Sequence, residues 1–295
     1  MILEKRIPLK YWFKEIKWDL LIVSVFSILI YFFKIYVINL DIPLGIGTFL
    51  GTAIALLLSF KLSQSYDRWW EARKIWGSIV NDSRSFVVQL KQFNKESENN
   101  MVKTMSYRQI AWCYALGSYL RKLDIPDNLK DYISQEEIFS LRHKKHIPLA
   151  LLDDHAQNLK TLHKEKSIND FQQIQLDSTI SRLTASMGMA ERIKNTVFPR
   201  TYRNVLHFFI YIFLLLLSLA LEDLYGFLEI PILVLISIPF FMLEKIAFVI
   251  QDPFENQPTD TAMTSIARAI EINIKELLGE KDLPEPLKDK GFYIM

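Results

Sequence analysis

The run from Leu44 to Phe60 carries no charged residue, and no proline or glycine interrupts the stretch that follows it as far as Trp76. Its seventeen residues would rise about 26 Å as a helix, close to the roughly 30 Å hydrocarbon core of a bilayer. The pattern then turns amphipathic and charged, with Lys61, Asp67, Arg68, Glu71, Arg73 and Lys74. It predicts one long helix that leaves a membrane and continues into water. The apolar half is rich in small residues: Gly45, Gly47, Thr48, Gly51, Thr52, Ala53, Ala55 and Ser59. Small residues let helices approach closely in lipid, and they suit a helix lining a pore beside its own copies.

Composition agrees with a chain divided between two solvents. Of the 295 residues, 50% are hydrophobic yet 23% are charged, too apolar for an ordinary soluble domain and too charged for an all-membrane bundle. The net charge of +2 implies no nucleic-acid partner. Cys113, the one cysteine, excludes an intrachain disulfide framework and a cysteine metal cage, and is expected to fill the core. The opening Met-Ile-Leu-Glu-Lys-Arg lacks the layout of a cleaved signal.

Residues 1–19 interleave Lys5, Arg6, Lys10, Lys14 and Lys17 with Tyr11, Trp12, Phe13 and Trp18, a basic amphipathic lead-in suited to the headgroup layer. By the positive-inside rule it should be cytoplasmic. The first span is expected over about 20–40, with Lys34 reaching the far interface. A turn at Asn39–Pro43 returns the chain through a second span, about 44–63. Gly45-x-Gly47-x-x-x-Gly51 does not make a dinucleotide site, because no strand precedes it and the third spacing is wrong. From about 64 to 203 the chain is polar, with apolar residues three and four apart over 64–95, 102–123, 133–141, 147–165 and 168–195. Breaks fall at Glu96–Asn100, around Pro126 and at His146-Ile-Pro148. Phe198-Pro199-Arg200 marks a basic re-entry. Spans at about 204–222 and 228–250 follow, separated by the acidic turn Glu222–Gly226, with Pro231 and Pro239 kinking the last span or marking its ends. Residues 251–295 return to water, with a helix over 260–278. Four crossings put both termini on the cytoplasmic side. The expected class is all-α: an integral membrane protein with a large helical cytosolic body, forming a single domain over 1–295.

Enzyme chemistry finds little support. His143 and His146 flank Lys144-Lys145 and read as a solvated basic turn; His207 reads as interfacial. His155 and His163, with Asp153 and Asp154 adjoining the former, would need partners from elsewhere to make a metal or acid–base site. No nucleophile–His–acid spacing, phosphate loop, metal cluster or cofactor motif is present. On the second span, Thr48, Thr52, Leu56, Ser59, Phe60 and Ser63 recur at intervals of three and four. Apolar Leu56 and Phe60 from several copies would form a narrow, dewettable constriction; ordinary helix packing is the alternative.

Tyr66-Asp67-Arg68-Trp69-Trp70-Glu71-Ala-Arg73-Lys74-x-Trp76-Gly77 after a small-residue span resembles the signature of the bestrophin family in its bacterial branch. Glu191-Arg192-Ile-Lys-Asn195-Thr196-x-x-Pro199 and Asp252-Pro253-Phe254 match the same family in the same order. The resemblance covers nearly the whole chain. It implies a homopentamer around a central ion pore, in a bacterial inner membrane, with lipid and permeating ions as its other partners. Carried over by position, the family's hydrophobic neck falls on Thr52, Leu56 and Phe60, and its cytosolic constriction near Phe171 or Gln172. Thr52 departs from the apolar residue usual there, implying a wetter outer ring. Animal members bind calcium through an acidic run that here reads Glu255-Asn-Gln-Pro-Thr-Asp260. With only Asp252 and Asp260 as carboxylate ligands, calcium activation is not expected. The family implies anion passage first, with sodium-type cation passage or a non-conducting membrane-anchored binding protein as alternatives.

Overall fold

In the computed structural model, the described residues are 1–2, 8–36, 42–94, 100–196, 200–221, 226–289 and 291–295. Lys5 and Arg6, the expected turn over 39–41, the break at 96–99, Phe198 and Pro199, and residues 222–225 of the expected acidic turn lie outside them. The elements in order are α1 (Leu9–Tyr36), α2 (Leu44–Phe93), α3 (Asn100–Leu120), α4 (Gln135–Arg142), α5 (Ile147–Lys164), α6 (Asp170–Asn195), α7 (Arg200–Ala220), α8 (Glu229–Gln251) and α9 (Met263–Leu277). Among the described residues the β content is one isolated antiparallel bridge, Ile2 to Tyr293. Four helices are long and apolar enough to cross a membrane: α1, α2, α7 and α8.

From Leu9 onward the basic lead-in and the first span are one helix, because no proline or glycine breaks the run after Pro8. The predicted long helix is present as α2, with 50 residues. The chain forms two compact units, and α2 contributes to both. One comprises Glu4–Trp69 and Val197–Asp252; the other comprises Met1–Leu3, Trp70–Thr196 and Pro253–Met295.

In the first, spanning unit, Ile54 and Leu58 of α2 join Ile16 and Val23 of α1, Leu206, Ile210, Phe213 and Leu214 of α7, and Leu233 and Phe241 of α8 in one apolar core. Two of the small residues of α2 serve the close helix approach that they suit. Gly47 and Gly51 face α7: a Cβ on Gly47 would lie 3.4 Å from Leu217, and one on Gly51 only 2.9 Å from the Phe213 ring. That ring is itself held by Phe240, at a centroid distance of 5.0 Å.

The second unit is a helical body built around α3, which is buried along most of its length, Arg108 and Gln109 included. Gln109 donates to Ser83 Oγ at 2.9 Å. Arg108 grips Glu137 through Nη2 at 2.6 Å and Nε at 2.7 Å. Glu137 is thereby shared, since it also completes the capping box of Ser134 that starts α4. Cys113 is buried in this core, its thiol pushed up to about 12 by desolvation, which makes it inert filler. The tail folds back on this unit: Ile294 N donates to Met1 O at 3.0 Å and Ser265 N to Met295 O at 2.7 Å.

His155 is fully buried, with the edge of its ring against Phe86 at 4.9 Å and no hydrogen-bond partner on either nitrogen. Burial first, and Arg108 second, hold it well below the ordinary histidine value of 6.5. The native state therefore keeps the ring neutral while the unfolded chain takes up a proton. This contribution to stability is complete above about pH 6.5 and declines as pH falls below it, by at most about 1.4 kcal/mol per pH unit. Replacing His155 with Phe should remove that decline. Melting curves of both proteins from pH 7 to pH 5 should show the gap between them changing in favour of the variant; a constant gap would refute the assignment. In the spanning unit, Gly51→Val should cost on the order of 2 kcal/mol by overpacking against Phe213, whereas Gly45→Ala, with nothing within 4 Å of its Cβ, should be near neutral. Thermal unfolding in detergent separates the two.

Candidate functional site

The outward face of α2 carries the residues that sequence reading placed at a neck. Leu56 and Phe60 are 57% and 60% exposed, and Thr52 is exposed one turn earlier. On the opposite side, Ile54 and Leu58 are each 1% exposed. The helix thus spends its buried stripe on α1, α7 and α8 and leaves an uncharged stripe unoccupied within the protomer. Thr52 Oγ1 donates to Thr48 O at 2.8 Å, so its hydroxyl proton is spent inside the helix.

Sequence left Phe171 and Gln172 as equivalent candidates for a second constriction, and α6 separates them. Asn169 caps the helix by accepting the Gln172 N–H at 2.9 Å, and Gln172 Oε1 accepts the Asn169 N–H at 2.9 Å. Gln172 is committed to the capping box, while Phe171 projects with 84% of its surface exposed.

The three motifs, far apart in sequence, meet through ion pairs. Arg68 lies 3.5 Å from Asp252, Glu71 lies 2.8 Å from Arg192, and Lys194 lies 2.7 Å from Glu255 while donating to Phe254 O at 3.1 Å. Phe254 is 1% exposed in the core of the helical body, and Pro253 O accepts the Thr261 N–H at 3.2 Å. Trp69 stacks on Tyr66, with centroids 6.0 Å apart, and Trp70 is 46% exposed. Asp67 is exposed and, among the described residues, has no ion pair or hydrogen bond. Of the two carboxylates weighed for calcium, Asp252 is taken by Arg68. Asp260 is 1% exposed, with its carboxyl pushed up to about 6 by desolvation.

The histidines do not converge on a catalytic centre. His143 ends α4 and its ring contacts Phe139 O at 3.0 Å; His146 caps α5 by accepting the Leu149 N–H, and its Nε2 lies 2.8 Å from Glu191. His163 pairs with Asp170 at 2.7 Å on the surface. A groove of about 640 Å³ is lined by Asp153 and Asp154 with Lys144, Lys145 and His146, but by neither His155 nor His163. Among the described residues no group of histidines, cysteines and carboxylates has metal-holding geometry.

Sequence reading missed two polar clusters within the spans. Lys34, expected at the far interface, is 10% exposed and pairs with Glu229 at 3.1 Å, while Ser218 Oγ donates to Glu229 at 2.7 Å. His207, expected to be interfacial, has Nδ1 2.9 Å from Glu244 and Nε2 3.6 Å from Asp19, which also meets Lys245 at 3.7 Å and Tyr211 OH at 3.2 Å. The signal was the presence of ionisable residues in apolar runs, which demand partners in lipid; which partners they find depends on the packing of α1, α7 and α8. Glu244→Ala would leave His207 facing one carboxylate fewer, and it should destabilise the detergent-solubilised protein by on the order of 2 kcal/mol. Unfolding midpoints equal to wild type would refute this.

Comparison with known proteins gives the fold and the family. The family model described as Bacterial/Fungal Bestrophin protein matches residues 12–276. The voltage-dependent anion channel-forming protein YneE of Escherichia coli K12 is 29% identical over 276 residues, 93% of this chain and 90% of that protein. The similarly named RSc3414 of Ralstonia nicotianae is 28% identical over 247 residues, 83% of this chain and 80% of its own length. A crystal structure of a bacterial bestrophin homolog from Klebsiella pneumoniae superposes with a TM-score of 0.82 at 24% identity, covering 90% of this chain and 100% of the other. The helical fold is therefore that of a known architecture, and the chain belongs to the bacterial/fungal bestrophin family.

Proposed function

We propose that this protein is a homopentameric ion channel of the bacterial inner membrane, passing small monovalent ions along an axis lined by α2. The observation that carries this reading is the uncharged stripe of Thr52, Leu56 and Phe60, left exposed while Ile54 and Leu58 bury the other side of the same helix. Copies of α2 placed around an axis bring Leu56 and Phe60 together as a hydrophobic neck, which holds back ions by dewetting. Phe171 forms the second constriction in this reading. Both termini lie in the cytoplasm, and the channel opens without calcium, since Asp252 and Asp260 are engaged or buried.

Chloride-type anions are the first choice, supported by relatives named as anion channel-forming proteins. Sodium-type cations are the second reading, favoured by the unpaired Asp67 carboxylate. A channel function, rather than a membrane-anchored enzyme or a non-conducting binding protein, accounts for an uncharged stripe left exposed on a helix long and apolar enough to cross a membrane. Purified protein in planar bilayers under a salt gradient tests this. Phe60→Ala should raise unitary conductance about twofold or more by widening and wetting the neck, and the reversal potential reports the favoured ion. No current from an intact oligomer in either form would overturn the proposal.

A further inference from the structure

Resting on the reading of α2 as the pore helix, we infer that Asp67 is the residue that sets charge selectivity at the inner mouth of the neck. The first charge after the uncharged run is Lys61, and it does not reach the neck face. It is 1% exposed, turned into the spanning unit, where it bonds to Gln251 and lies 5.0 Å over the Phe248 ring. Ser63 and Gln64 are exposed but uncharged. Asp67 is therefore the first ionised side chain on the exposed side of the helix. Seven residues after Phe60, it falls within about 20° of Phe60 around the helix axis and about 10 Å further along it.

Of the other charges in its motif, Arg68 pairs with Asp252 at 3.5 Å and Glu71 with Arg192 at 2.8 Å, while Lys74, exposed seven residues further on, lies about 20 Å along the helix from Phe60, well beyond a Debye length. Asp67 has no such partner among the described residues, and it is exposed. A carboxylate held by a pair is screened locally; one left bare on a helix face acts on mobile ions instead. One bare carboxylate per subunit, repeated around an axis, concentrates cations and repels anions over a Debye length of about 8 Å at physiological salt, comparable to its distance from Phe60. Whatever the wild-type preference, Asp67 pulls it toward cations.

Reversal potentials in planar bilayers at low ionic strength test this, alongside Phe60→Ala as the separate check on the neck. Asp67→Asn should move the reversal potential toward the chloride equilibrium potential, raising relative chloride permeability roughly threefold or more. Asp67→Lys should move it further, and Asp67→Glu should keep the wild-type value. Ser63→Asp, which adds a carboxylate nearer the neck, should shift it the opposite way, and this variant serves if neutralising Asp67 impairs assembly. The shifts should shrink in concentrated salt. If Phe60→Ala raises conductance while the Asp67 and Ser63 variants leave the reversal potential unchanged, this inference is wrong and the channel reading stands. A shift of Asp67→Asn toward the cation potential overturns it equally. If wild type and Phe60→Ala both fail to conduct, the channel reading falls and this inference with it.

Discussion

The spanning unit depends on the close approach of α2 to α7. At Gly51 there is no room for a side chain, because the Phe213 ring already occupies the place of a Cβ. That contact brings Ile54 and Leu58 into the apolar core shared with α1, α7 and α8. Once one side of α2 is spent in this way, the other side must face whatever lies outside the protomer. Leu56 and Phe60, more than half exposed, are the consequence. The small residues and the large exposed ones are thus two halves of one arrangement.

Ionisable groups obey a second constraint. Lipid offers no water to a charge, so each charge in a span needs a partner or a route to the interface. Lys34 finds Glu229 and Ser218; His207 and Lys245 find Asp19 and Glu244; Lys61 finds Gln251 and an aromatic ring. Pairs of this kind fix which helices are neighbours without adding much net stability. The contrast with Asp67, bare on the exposed face, is what gives that residue its interest.

In the helical body, buried polar groups do similar work at a distance from lipid. Arg108 and Glu137 clamp α3 to α4, and Lys194 reaches from the end of α6 to the backbone of Phe254. The motifs that mark the family are therefore largely fastenings between remote segments. Arg192 and Lys194 at the end of α6 and Asp252 at the end of α8 meet charges or carbonyls from other segments, among them Arg68 and Glu71 in the middle of α2.

Helix periodicity, span length and caps are local properties, and they were legible. The spans, the unbroken α2 and the bounds of α3 to α6 emerge from residues within a few turns of each other. The stripe of Thr52, Leu56 and Phe60 was legible too, because i, i+4 spacing places side chains on one face whatever they meet. Which face of α2 would be buried was not, since that depends on Phe213, some 160 residues away, meeting Gly51. The partner of Lys34 lies nearly two hundred residues on, at Glu229, and only folding brings them together. Likewise the sequence did not separate Phe171 from Gln172, and the cap at Asn169 engages only the second. By itself, then, the sequence determined the elements and their periodic faces, because these follow from neighbouring residues. Only the tertiary structure decided which face each helix buries and which charges are left bare, because a charge or a glycine is satisfied by whatever the rest of the chain places against it.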